Sequence, residues 1–350
     1  MALESTSVTE PSKEFAVNPQ NADHSSSAFP PKSRLGLGCM GMSYLYGPCD
    51  EAQSIRTIQR AVDHGVEYID TGDFYGSGHN EMLIAKALEG GKRQKAILSV
   101  KFGALRGPDH SWLGMDGRAA AVKNALACSL QRLKTDYIDI YRLARLDPNV
   151  PIEETVGAMA DMVKAGYVRK IGLSEVGVET LKMAYKVAPI DDLQMEYSVV
   201  SRSAERAIFP AMKELGGQVS VYGVLSRGLL AGTVPQSSAD YRVHLPRFER
   251  ANFERNQRII SHLSELALGH NMSLTQLCVA WVLKQSSALG LPMVAVLGCR
   301  REDQLDEVLG ALSVELEQET LLNIQKIMDQ NPVAGERYAP MQMAHLDSER

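Results

Sequence analysis

Between Leu35 and Leu297 the chain alternates between two textures, and few folds accommodate that alternation. Eight short apolar runs read as strands buried on both faces: "RLGLGCMGM", "EYIDTG", "AILSVKFG", "YIDIYRL", "RKIGLSE", "DLQMEYS", "VSVYGVL" and "MVAVLG". Segments of helical period lie between them, among them 54–64, 119–133, 152–164 and 204–215. In the first, Ile55, Ile58 and Val62 share one face, and Gly65, Gly166 and Gly216 follow as suitable C-caps. Parallel strands need helical crossovers, which leaves a doubly wound open sheet or an eightfold barrel. The count of eight, and the lack of a GxGxxG motif after the first strand, select the (β/α)8 TIM barrel of the α/β class.

The barrel is expected as a single domain over residues 33–330, followed by a C-terminal tail at 331–350. Residues 1–32 are rich in Ser, Pro and Glu and hold no apolar block. They read as a disordered tail, with neither a secretory signal nor a transit peptide. One interval breaks the rhythm. Residues 226–253, between strands seven and eight, carry Pro, Ser and Arg without periodicity, and a loop of that length reads as a lid over the barrel top.

Composition narrows the function. A net charge of −5 with no concentrated basic patch excludes nucleic acid as the main partner. No window reaches the ~18 apolar residues of a membrane helix. Five cysteines, Cys39, Cys49, Cys128, Cys278 and Cys299, make an odd number without paired spacing. They fit a reducing compartment, the cytosol by default, and neither a disulfide framework nor a metal site. Oligomeric state is not legible.

In a barrel of this kind, the C-terminal ends of the strands carry the active site. Asp70 ends the second strand, Tyr75 follows on its loop, and Lys101 closes the third. A lysine at the end of an apolar strand needs a partner, and Asp70 on the adjacent strand can supply it. A free phenol has a pKa near ~10. An ammonium beside it is expected to lower that value, with the carboxylate holding the ammonium in place. Asp70, Tyr75 and Lys101 therefore read as a proton donor for a carbonyl oxygen on which negative charge develops. A structural ion pair with a packing tyrosine is the alternative.

"VEYIDTGDFYGSGHNEMLIAKAL" with "VKF" on the next strand resembles the signature of the aldo-keto reductase superfamily. "YVRKIGLSE", "DLQMEYS", "VYGVLSRGLLAG" and "VAVLGCRREDQLDEV" follow in that family's order, so the resemblance spans residues 35–312. It implies an NADPH-dependent oxidoreductase that reduces an aldehyde or ketone, a small-molecule carbonyl substrate, with NADPH/NADP+ bound without a Rossmann domain. Residue by residue, it makes Tyr75 the general acid, Lys101 the group tuning it, and Asp70 the anchor of that lysine. Ser174 and Gln194 would hold the nicotinamide carboxamide, and Tyr222 would stack on the ring. Leu225 and Arg227 join the cofactor-binding set. Gly298, Arg300, Arg301 and Gln304 fall on the clamp for the adenosine 2′-phosphate, with Glu307 on the same helix.

The resemblance also has gaps. The position of the family's usual histidine, at the end of the fourth strand, holds Ala144, and strand alternation puts Arg142 on the same face as a candidate replacement. Glu175 stands in place of an Asn, Gly223 and Val224 in place of Ser-Pro, and Val308 in place of another Asn. The missing histidine leaves a second reading, a cofactor-binding redox sensor or regulatory protein with weak reductase activity. Tyr44, Tyr46, Trp112 and Arg142 are the substrate-binding candidates.

Overall fold

The computed structural model describes residues 31–235 and 240–350. Residues 1–30 of the expected N-terminal tail, and 236–239 within the expected lid, lie outside the described residues.

Eight parallel strands close into a barrel in the order β1, β10, β9, β8, β7, β6, β3, β2. They are β1 (Leu35–Gly38), β2 (Tyr68–Gly72), β3 (Ile97–Phe102), β6 (Ile138–Leu143), β7 (Val168–Ser174), β8 (Asp192–Glu196), β9 (Gln218–Tyr222) and β10 (Met293–Leu297). Six fall within an apolar run read from the sequence, and β7 and β9 each begin one residue before theirs, at Val168 and Gln218. Two short strands were not foreseen: β4 (Ala104–Arg106) and β5 (Trp112–Met115) form an antiparallel hairpin after β3.

The principal surrounding helices are α1 (Glu51–Asp63), α2 (His79–Ala87), α3 (Ala119–Leu133), α4 (Ile152–Lys164), α5 (Val178–Val187), α6 (Ile208–Glu214), α7 (Arg250–Gly269), α8 (Leu274–Leu289), α9 (Glu302–Gly310) and α10 (Gln318–Gln330). Local chemistry sets their ends. Asp50 caps α1 by accepting from Gln53 N at 2.9 Å, and the helix buries Ile58, Ala61 and Val62. A reciprocal Ser273–Gln276 capping box opens α8, and Gly290 closes it in a left-handed conformation. Among the described residues, no single helix is long and apolar enough to cross a membrane.

Parallel register gathers the functional positions at one end. Gly72 lies beside Lys101, Ser174 beside Gln194, and Glu196 beside Tyr222. Deeper in the barrel, a buried polar network interrupts the apolar packing. Arg142 donates to Asp192 Oδ1 at 2.9 Å and to the Tyr68 hydroxyl at 2.9 Å, and Ser220 and Gln218 donate to the same carboxylate at 2.7 and 2.6 Å.

Residues 331–350, set apart from the sequence as a tail, pack across the barrel mouth. The turn that sends them there needs Gly335. Its φ is +85°, and a Cβ would stand 2.7 Å from the backbone of Pro246. Asn256 of α7 fixes the same turn by pairing with both backbone groups of Ala334, at 2.8 and 3.0 Å. A short helix, α11 (Pro340–Met343), follows.

Candidate functional site

Asp70 and Lys101 form a buried ion pair at the C-terminal ends of β2 and β3, each no more than 5% exposed. The other carboxylate oxygen of Asp70 accepts from Ser99 Oγ at 3.1 Å and from Gln194 Nε2 at 3.0 Å. Three donors thus orient it, and Ser99 in turn accepts from Arg142 at 3.3 Å. The Lys101 ammonium lies 5.4 Å from the centroid of the Tyr75 ring. Tyr75 opens a one-turn segment in which Gly76, Ser77 and Gly78 all have positive φ, strained backbone that turns the chain sharply into α2. So the three expected catalytic residues do lie together.

Their electrostatics differ from the sequence-based expectation. Burial first, and then the Asp70 charge, push the Tyr75 phenol well above its ordinary value, and the cation opposing this is Arg145. Burial also lowers Lys101, against the pull of Asp70 and with help from Arg142. Desolvation, which disfavours the charged phenolate, sets the direction of the shift.

Arg142 does not reach the space beside Ala144. It is fully buried one layer down, closed off by Asp192, Tyr68, Ser99 and the Leu173 carbonyl. Residues two apart on a strand share a face but are separated by ~6.6 Å, which places its guanidinium inside the barrel, away from the mouth. The next residue, Arg145, which the sequence reading missed, occupies the mouth instead. It donates to the Ala144 carbonyl at 2.6 Å, Ser174 Oγ at 3.2 Å, the Tyr338 hydroxyl at 3.3 Å and the Tyr222 hydroxyl at 3.5 Å.

A second ionic cluster borders Tyr222. Glu175, buried and at φ 55°, accepts from Glu196 N, the Tyr222 hydroxyl, Arg337 and Ser348. Burial alone would raise its pKa. The Arg337 charge and hydrogen bonds prevail and bring the carboxyl down to about 2. Glu196 binds Arg227 at 2.9 Å and lies 3.6 Å from both Arg247 and Arg337. Arg227 also covers the Tyr338 ring at 4.3 Å, and the Tyr338 and Tyr222 hydroxyls are 2.9 Å apart. Arg337, Tyr338, Glu196 and Arg247 carried no signal in the sequence, because their partners are distant in the chain and follow no spacing.

The remaining expected residues divide. Gln194 is buried and its amide nitrogen is engaged by Asp70 and, at 3.4 Å, Ser220. Leu225 precedes a backbone run, Ser226 to Gly228, whose three φ values are all positive. Gly298 faces open space, since a Cβ there would meet nothing nearer than the Gly38 carbonyl at 4.0 Å. Arg300 holds the loop after β1 through the carbonyls of Tyr46 and Pro48. Arg301 is half exposed and pairs with Asp303 at 2.7 Å. Gln304 caps Arg300 N at 2.9 Å, whereas Glu307 turns away to accept from Ser273 at 2.6 Å.

Tyr46 is drawn into the mouth, where burial pushes its phenol up to about 12 and the charges of Arg227 and Arg242 oppose the shift. Tyr44 is 59% exposed and packs on His79. Trp112 projects from the β4–β5 hairpin under Arg106. The expected lid, in its described part, spans from the mouth to the C-terminal segment. Tyr241 donates from its backbone to Leu45 O at 3.4 Å and from its hydroxyl to Gln342 at 2.8 Å.

Comparison with known proteins agrees with this fold. The model of the Aldo/keto reductase family matches residues 34–329. The chain is 38% identical over 314 residues to probable aldo-keto reductase 1 of Glycine max, covering 87% of this chain and 88% of that one. It is 33% identical over 314 residues to the aldo-keto reductase yakc [NADP(+)] of Schizosaccharomyces pombe, covering 87% and 91%. Among solved structures, the glycerol dehydrogenase AKR11B4 of Gluconobacter oxydans superposes with a TM-score of 0.78 at 27% identity, covering 88% of this chain and 94% of that one.

Proposed function

The chain belongs to the aldo/keto reductase family, and from that premise we propose that it reduces an aldehyde or ketone to an alcohol with NADPH, Tyr75 giving the proton. The buried Asp70–Lys101 pair set against Tyr75 is the observation that carries this reading. When bound, NADPH would supply the hydride for the carbonyl carbon; a relative whose name specifies NADP(+) supports that cofactor. Everything else falls to this chain's own side chains.

Tyr75 holds its proton throughout the neutral range, because its pKa is raised. An alkoxide is a stronger base than a phenolate, so transfer from the phenol to the forming oxygen anion still runs downhill. Lys101 steadies the phenolate left behind, and Asp70 keeps the ammonium aimed at the ring. Ser174 and Tyr222 suit the nicotinamide end, at the rim of β7 and β9. Gln194 would serve by fixing Asp70 and by framing the same rim. Leu225 and Arg227 would line the route toward the phosphates, where a run of left-handed residues turns the backbone. Gly298 leaves room for the cofactor to pass. Arg300 and Arg301, ahead of α9, would grip the 2′-phosphate, with Arg301 exchanging Asp303 for it. Of the expected substrate residues, Tyr46 suits the pocket wall, whereas Tyr44 and Trp112 would act only at its rim.

Ala144 keeps a second reading in play, that of a cofactor-binding sensor with little turnover, because its methyl group offers no hydrogen bond to a carbonyl. A titration with NADPH followed by a panel of aldehydes separates the two. Oxidation of the cofactor in step with alcohol formation supports the reductase. Tight binding with no turnover across the panel supports the sensor.

A further inference from the structure

The buried guanidiniums at the barrel mouth follow a pattern that one of them breaks. Arg227 and Arg247 face Glu196, and Arg337 faces Glu175 and Glu349, each with a carboxylate oxygen within 2.6 to 3.6 Å. Below them Arg142 has Asp192 at 2.9 Å. Among the described residues, Arg145 has no carboxylate partner. Its four hydrogen bonds end on a carbonyl, a serine and two phenols, and the two phenol contacts, at 3.3 and 3.5 Å, are the longest. The charge of Glu175 reaches Arg145, but that carboxylate already accepts from Arg337, Tyr222, Ser348 and Glu196 N.

A partly buried cation whose direct contacts are all neutral acceptors has no ion-pair partner of its own, and the Glu175 charge acts on it only from a distance. Its planar fork matches a carboxylate in two-point contact, a stronger acceptor than a phenol. The place is equally telling. Arg145 follows Ala144 at the end of β6, and its charge is felt at the Tyr75 phenol. An anion held there would lie in the same pocket as the reacting carbonyl.

We propose that Arg145 is a specificity-determining residue that binds an anionic group of the substrate, so that the preferred substrates are aldehydes or ketones carrying a carboxylate near the carbonyl. This rests on the reductase reading given above and adds the substrate class to it. The Tyr338 hydroxyl, already at Arg145, would donate to the same anion, whereas the Tyr222 hydroxyl keeps its donation to Glu175. The C-terminal segment thereby contributes to substrate choice through Tyr338.

Matched substrate pairs test it: para-carboxybenzaldehyde against its methyl ester, and succinic semialdehyde against butanal. Wild-type protein is expected to favour each acid in kcat/KM by roughly 10- to 100-fold, the worth of a hydrogen bond to a charged group, mainly through KM. Arg145→Gln should bring the acid-over-neutral ratio close to one, and Arg145→Lys should keep part of it. Benzoate binding to the NADP+-loaded protein, followed by calorimetry, gives an arm that needs no turnover, with binding expected in wild type and lost in Arg145→Gln. Wild-type protein that shows no preference for the acids, or benzoate that does not bind it, overturns the proposal. So does Arg145→Gln lowering acid and neutral substrates by the same factor. Failure of the reductase reading looks different: no aldehyde oxidises NADPH, whatever benzoate does.

Discussion

Replacing Arg337 by methionine should release the C-terminal segment from the barrel mouth. Arg337 is 6% exposed and donates to both oxygens of Glu175, at 3.0 and 2.6 Å, and to Glu349 at 2.6 and 3.0 Å. Removing one partner of a buried pair costs ~3–5 kcal/mol, because the other charge stays buried. Glu349 is partly exposed and can turn to water, so nearly all of the cost falls on Glu175, and ~3 kcal/mol is the reasonable figure. At ~1.4 kcal/mol per decade, amide exchange across residues 331–350 should accelerate by about 100-fold, while the barrel strands keep their protection. Adding Glu175→Gln should recover at least ~1 kcal/mol, since the orphaned charge is then gone. Exchange in Arg337→Met within threefold of wild type would refute the view that this pair holds the segment down.

Acid should have a related effect. The Glu175 carboxyl titrates at about 2 in the folded protein against an ordinary 4.5, so its contribution is complete above 4.5 and is lost as pH falls toward 2; exchange of 331–350 measured across that window should rise. Asp73 behaves in the opposite sense. Burial, then the charge of Glu81, raise it to about 7, so stability falls between its ordinary 3.8 and about 7. Asp73→Asn should therefore stabilise the fold above pH 7 in urea titrations, by ~1 kcal/mol or more, with the gain fading toward pH 4. Arg142→Met should destabilise by ~3–5 kcal/mol, because Asp192 would remain fully buried without its cation. A urea midpoint unchanged from wild type would show that the barrel's polar layer tolerates the change.

Much of this molecule is legible in its sequence because much of it is periodic. Each of the eight apolar runs becomes a barrel strand, and the helices at 119–133 and 152–164 have the bounds their patterns suggest. Asp70 and Lys101 could be paired from sequence because adjacent parallel strands bring their ends together. The errors arise where a side chain's depth or a nonlocal partner decides. Alternation assigns Arg142 to the correct face but says nothing of which layer it occupies, and Asp192 holds it below the mouth. The tuning of Tyr75 depends on desolvation, which a linear sequence does not report. Residues 331–350 lack both apolar runs and periodicity, since polar pairs with Glu175, Gly177 and Tyr241 dock them. Arg145 stands one position beyond Ala144, and its place at the mouth is the most accessible of these nonlocal features from sequence.

Single-turnover reduction by Tyr75→Phe with bound NADPH is the most direct test of the proton-donor site. Loss of the phenolic hydroxyl should slow alcohol formation by ~10² to 10⁴-fold while cofactor affinity stays at the wild-type value. A rate within threefold of wild type would mean that the group beside Lys101 gives up no proton to the substrate.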